Sequence, residues 1–221
     1  MIVVLGIPAL RLTPSAAPAG RACGIALAAA ARGARVELVG RIGEDAAGEA
    51  LVVALSRAGI GHAALLRDPA RPTPVLASVA AQDDDESPFA DPVTPSSPVA
   101  PGAPRLDGAD IDLAIRYLEP SGVLVATDEV PADALASALR AAAYAGLRPV
   151  VLVAPSAVAR ALPPGLPGDA TVLAAPDADG DAGAFEALVG AYAAALDAGA
   201  SPAEAFESAQ GATGWEPAAA D

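Results

Sequence analysis

Three aspartates, Asp177, Asp179 and Asp181, stand just ahead of an Ala-rich stretch, GAFEALVGAYAAALDAG, that begins at Gly183. Carboxylates at the mouth of a helix can cap its free N–H groups, hold a hard cation through oxygen, or take a proton from a hydroxyl. Asp181 fits the cap; in a shifted turn it would become the proton acceptor. Asp177 and Asp179 read either as a weak cation site or as a solvated acidic turn. Two more acids sit where chain direction changes. Glu129 lies in TDEVP, just past the apolar run Gly122–Ala126, and Asp45 lies in RIGEDAAG, at the opening of a helical pattern.

Other reactive types are sparse. His62 is the only histidine and falls in a turn, with no second ligand or triad partner near it in sequence, so it reads as a turn residue. Cys23, the only cysteine, begins an Ala-rich helix. There the dipole could lower its pKa, while packing is the plainer use, and no intrachain disulfide can form. The DDDE run at 83–86 lacks the spacing and glycine of a calcium loop. No lysine occurs anywhere, which excludes a Walker-type phosphate loop.

The elements that would carry these residues alternate. Short β-branched runs at Ile2–Gly6, Arg35–Val39, Ala63–Leu66, Pro74–Ala80, Gly122–Ala126, Pro149–Val153 and Ala170–Ala174 read as strands. Helical patterns fill 22–33, 45–58, 108–117, 131–145, 156–161, 182–198 and 201–210, several of them closed by glycine. Strands and helices in this alternation imply βαβ units and a largely parallel sheet covered on both faces. The stretch 82–104, QDDDESPFADPVTPSSPVAPGAP, is acidic, proline-rich and without periodicity, so it is expected to be a disordered excursion from a single domain spanning 1–221. Trp215, the only tryptophan, is expected to dock the C-terminal segment onto the body.

A net charge of −14 argues against nucleic acid or an anionic membrane as partner, since both require a cationic footprint. The opening MIVVLGIPAL lacks a positive n-region and is too short to span a bilayer, so a cytoplasmic location is expected. Eight of the thirteen arginines lie within residues 1–75 against five acids, which makes that part the place to look for an anionic ligand.

The order of motifs resembles the ribokinase, or PfkB-type, carbohydrate kinase family. Residues 20–60, GRACGIALAAAARGARVELVGRIGEDAAGEALVVALSRAGI, are similar to its substrate-side signature, and residues 99–156 resemble its middle segment. The resemblance implies a three-layer α/β/α sandwich and ATP- and magnesium-dependent phosphorylation of a sugar or nucleoside hydroxyl. It also implies an aspartate in a "GAGD" turn that takes the hydroxyl proton. In this alignment Gly183 stands at that aspartate and Gly24 at the substrate-binding asparagine of the "GG---N" turn. Gly20, Gly24, Asp45 and Glu129 become the substrate-side candidates, and Asp177 and Asp179 fall at the family's "N--E" motif.

The departures set the functional expectation. Glycine accepts no proton, the chain between Ala174 and Gly183 is too short for the family's nucleotide-site strands, and about a dozen residues separate the first strand from Gly20, too few for the usual lid. The expectation is therefore a shortened, degenerate ribokinase-like protein with lid and nucleotide strands reduced or missing. It would have no cofactor and would bind a small sugar-like or nucleoside-like ligand or a protein, self-association into a homodimer included. The alternative is a kinase still active with ATP and magnesium, using Asp181 as its base.

Overall fold

The computed structural model describes residues 1–12, 15–76, 102–118, 122–154, 165–176 and 182–215. Asp177, Asp179, Asp181, the helix expected at 156–161 and residues 82–101 of the expected excursion lie outside them.

The strands of the main sheet form on short apolar runs, fully buried at the centre of the sheet and partly exposed in its two edge strands. They are β1 (Ile2–Leu5), β4 (Val36–Gly43), β5 (Leu65–Asp68), β7 (Val123–Ala126), β8 (Arg148–Val153) and β9 (Thr171–Ala174). Among the described residues they make one six-stranded sheet in the order β5-β4-β1-β7-β8-β9, every neighbour parallel. Parallel strands need covered crossovers. One face is covered by α1 (Arg21–Ala31), α2 (Ala46–Arg57), α5 (Ala182–Asp197) and α6 (Pro202–Thr213), the other by α3 (Gly108–Tyr117) and α4 (Ala132–Ala145). This is the expected three-layer sandwich.

Alternate residues of each strand feed different cores. Ile2 and Val4 of β1 join Leu38, Ile25, Leu51 and Phe185 on one side, whereas Val3 and Leu5 join Val39, Leu124, Ile111 and Ala138 on the other. With few aromatics, close approach replaces bulk. A methyl group at Gly190 of α5 would lie 2.5 Å from Ala28 Cβ and 2.7 Å from the Ile25 carbonyl of α1, so these helices meet backbone to backbone. Trp215 docks as expected, its ring centroid 5.9 Å from that of Phe185.

The structure adds strands that the sequence did not show. Two short strands, β2 (Ala9–Arg11) and β3 (Ala17–Ala19), follow β1 at once, and with β6 (Val75–Leu76) they build a second, three-stranded sheet. The β2–β3 pair is antiparallel and β2–β6 parallel, and the sheet packs on α1 and α2. Three-residue strands containing Pro18 carry no readable alternation, which is why the sequence showed none. The feature expected to be reduced or missing is present in miniature. Within the expected excursion, the described Ala103 is already buried, so chain 103–107 belongs to the body. Arg41 of β4 anchors this return by donating twice, at 2.7 Å each, to buried Asp110 in the capping box of α3.

Candidate functional site

The carboxyl edge of a parallel sheet is where the chain leaves strands for loops and helix N-termini, and it is where open α/β sheets bind ligands. Here β1 runs into Gly6 and Ile7, and β7 into Thr127, Asp128 and Glu129. The first turn of α1 rises beside them. Gly20, at φ 83°, provides the left-handed residue that lets the chain turn from β3 into α1. Arg21, the first residue of α1, is ion-paired with Asp128. Its Nε is buried and has no hydrogen-bond partner among the described residues.

Glu129 is half-buried here. Desolvation by burial pushes its carboxyl up to about 7, with Asp128 adding to the rise; Arg21, the Ile7 N–H and the Thr127 hydroxyl, 3.5 Å away, pull the other way. The acid at a strand end is therefore poised near neutrality, where it can exchange a proton or accept from a ligand hydroxyl.

Gly24 lies on the next turn of α1, and the structure gives its missing side chain a cause that the sequence did not reveal. A Cβ at Gly24 would fall 1.8 Å from Glu186 Oε2 and 2.5 Å from its Cδ, so the Glu186 carboxylate occupies the volume a side chain at 24 would take. Glu186 sits one helical turn beyond Gly183, on the same flank of α5. Buried Phe185 and Tyr192 fix that helix, the Tyr192 hydroxyl pairing with Thr171 of β9 at 2.8 Å. Cys23 lies fully buried within electrostatic reach of both acids. Burial pushes its thiol up to about 12, helped by Glu186 and Glu129 and opposed by the Ala9 and Ala19 backbone, so the helix dipole does not prevail.

The structure thus brings Gly20, Gly24 and Glu129 together, and adds Glu186, Arg21 and Thr127, which sequence reasoning missed. A readable signal existed: Gly24 and Gly183 are both vacated, and Glu186 lies three residues from the second.

Asp45 is placed elsewhere, at the start of α2. One oxygen accepts from the Gly48 N–H (2.8 Å) and the Thr73 hydroxyl (2.7 Å), the other from the Thr73 N–H (2.8 Å). Burial pushes this carboxyl up, but those donors and Arg67 outweigh it and hold it below the usual range. With Glu44, Glu49 and Arg67 it lines a shallow surface depression. His62 is a turn residue, its ring nitrogens near Ile60 O and Ser56 Oγ.

Among the described residues no group of three or more His, Cys, Asp and Glu is arranged to hold a metal ion, and no helix is long and apolar enough to cross a membrane.

Comparison with known proteins agrees with the architecture. The model of the pfkB family carbohydrate kinases matches residues 10–163, which include Gly20, Gly24, Asp45 and Glu129. The ribokinase of Arabidopsis thaliana, solved with ribose and ATP, is 17% identical, with 96% of this chain and 90% of that one covered and a TM-score of 0.63. A PfkB protein from Polaromonas sp. JS666 is 17% identical, with 94% and 92% covered and a TM-score of 0.64. The chain spans about half, 49%, of the aminoimidazole riboside kinase from Salmonella enterica, at 20% identity over 69% of itself and a TM-score of 0.48. None of the curated proteins matches it significantly in sequence. Motif order, parallel sheet and family match together show that the chain belongs to the pfkB family of carbohydrate kinases.

Proposed function

We propose that this chain binds a small hydroxyl-rich molecule, sugar-like or nucleoside-like, at the Glu129–Gly24 end of the sheet, and does so without transferring a phosphoryl group. One observation carries the reading: the Glu186 carboxylate projects into the space beside Gly24, facing the same buried thiol as Glu129. Phosphoryl transfer needs positive charge and preorganised N–H donors where negative charge develops. Here Arg21 is already paired to Asp128 and acts on Glu129, while Glu186 packs beside Gly24. These residues do not fit a triphosphate. They do fit hydroxyl groups, for which carboxylates are strong acceptors. The family's base position is occupied by Gly183, which supports the same conclusion.

The test is ATP-dependent phosphorylation of a panel of sugars and nucleosides by the wild-type chain and by Asp181→Asn, with thermal unfolding at millimolar ATP in parallel. The expected result is no turnover and no nucleotide-induced shift in Tm, because a ligand that binds the native state must stabilise it. Turnover abolished by Asp181→Asn would overturn the proposal and establish an active kinase.

A further inference from the structure

Thr73 stands between Pro72 and Pro74, which have no N–H, so its amide is the one backbone donor of this tripeptide. From Pro69 to Leu76 only Thr73 is buried; Val75 of β6 is exposed and Leu76 half-buried. Packing therefore fixes β6 weakly, and hydrogen bonds must hold it. Asp45 supplies them. One carboxylate oxygen accepts from the Thr73 hydroxyl at 2.7 Å and the other from the Thr73 N–H at 2.8 Å, while the hydroxyl oxygen accepts from the Gly43 N–H at 2.9 Å. The seat is shaped for this residue: a Cβ at Gly43 would lie 2.7 Å from the Thr73 nitrogen, and one at Gly48 would lie 2.9 Å from its hydroxyl. From there the connection passes to the second sheet. The Pro74 ring fixes its own φ, its carbonyl accepts from the Leu10 N–H at 2.9 Å, and Leu10 and Arg11 pair with Val75 and Leu76.

We infer that Asp45 and Thr73 are the latch of the second sheet: their hydrogen bonds hold β6, β6 holds β2 and β3, and loosening the latch frees this sheet as a unit while the main sheet stays folded. Two residue pairs join β2 to β6 and three join β2 to β3, too little pairing to stand without an anchor. Small units of this kind open at a lower free energy than global unfolding requires. The chain enters β2 from Ile7, whose N–H reaches Glu129, and leaves β3 into Gly20, where α1 begins. Asp45, at the start of α2, is thus a positioning residue for the candidate site, whether or not a sugar binds there.

The experiment is native-state hydrogen exchange, read amide by amide by NMR at neutral pH, on the full chain and on Asp45→Asn, Thr73→Val and Val151→Ala. Leu10 and Ile7 report on the second sheet. Ile2 and Arg148, which donate to the Arg35 and Gly122 carbonyls, report on the main sheet. Leu10 donates to Pro74 and not to Asp45, so a faster rate there reads the sheet and not the lost bond itself. In the wild type Leu10 is expected to exchange faster than Ile2 and Arg148. Asp45→Asn and Thr73→Val, which keep the side-chain shape, should each speed Leu10 and Ile7 about tenfold, the factor carried by one buried hydrogen bond. Val151 is buried in β8, and Val151→Ala should speed Ile2 and Arg148 by about tenfold. It should leave Leu10 and Ile7 within about twofold, because they exchange through the smaller opening. Circular dichroism reports whether each variant is folded. Leu10 rising with Ile2 and Arg148 in Val151→Ala overturns the independent opening, and Leu10 unchanged in both latch variants overturns the latch. Ile7 unmoved while Leu10 accelerates overturns the reach to Glu129.

Discussion

Asp45 and Glu129 are carboxylates at the same carboxyl edge of the same sheet, and they end in opposite conditions. Asp45 accepts from two backbone N–H groups and a hydroxyl and is held below the usual carboxylate range. Glu129 is more deeply buried in effect, has fewer donors and a neighbouring acid, and is pushed up to about 7. The lesson concerns acceptor capacity: a carboxylate whose lone pairs are filled by the fold is a structural clamp, whereas one desolvated without enough donors still has something to offer a ligand.

The largest test of this contrast is pH. For Glu129 the folded value lies above the ordinary 4.5, so the native state binds a proton the unfolded chain has released, and stability falls as pH rises from about 4.5 to 7 and stays reduced above. That interval corresponds to a loss on the order of 3 kcal/mol. Asp45, lowered from 3.8, has the opposite sign: its contribution is full above 3.8 and lost as pH falls through its folded value. Denaturant unfolding across pH should therefore show Glu129→Gln flattening the neutral slope and raising stability at high pH. An unchanged slope would mean Glu129 is not desolvated as described.

Asp45→Ala comes next, with an expected loss of about 2 kcal/mol at neutral pH, combining a helix cap with two Thr73 hydrogen bonds. Asp45→Asn should retain part of this. A loss below a few tenths would put Asp45 in the same class as Glu129 and erase the distinction.

Gly24→Ala sharpens the other side. Displacing the Glu186 carboxylate should cost about 1 to 2 kcal/mol, as overpacking does. Glu186→Ala in the same chain should recover about 1 kcal/mol of it, a coupling that contacting residues show in a double-mutant cycle. Strict additivity would show that the two positions do not touch. The smallest effect is Thr127→Val: loss of one weak donor at 3.5 Å should raise the Glu129 titration midpoint by a few tenths of a unit, readable by NMR.

Much of this molecule was legible in its sequence. Alternating apolar runs and Ala-rich periods placed each strand of the main sheet and the α1–α6 helices within a few residues, because burying one stripe per helix and both faces of each strand leaves little choice. Glycines closed helices where expected, and Asp45 before AAGEAL behaved as a cap. The three-residue strands β2 and β3 escaped because so short a segment has no period to read; they exist because partners pair with them.

The fate of each candidate carboxylate was decided only in three dimensions. Composition and spacing determined that acids and glycines would stand at strand ends and helix mouths. Whether a given acid is clamped or poised depends on which donors arrive from distant chain, Thr73 for Asp45 and Ile7 for Glu129. That Glu186 fills the room left at Gly24 follows from the close packing of α1 on α5, which Gly190 permits. Desolvation and long-range hydrogen bonding are properties of the packed neighbourhood, and a linear sequence carries them only after it has folded.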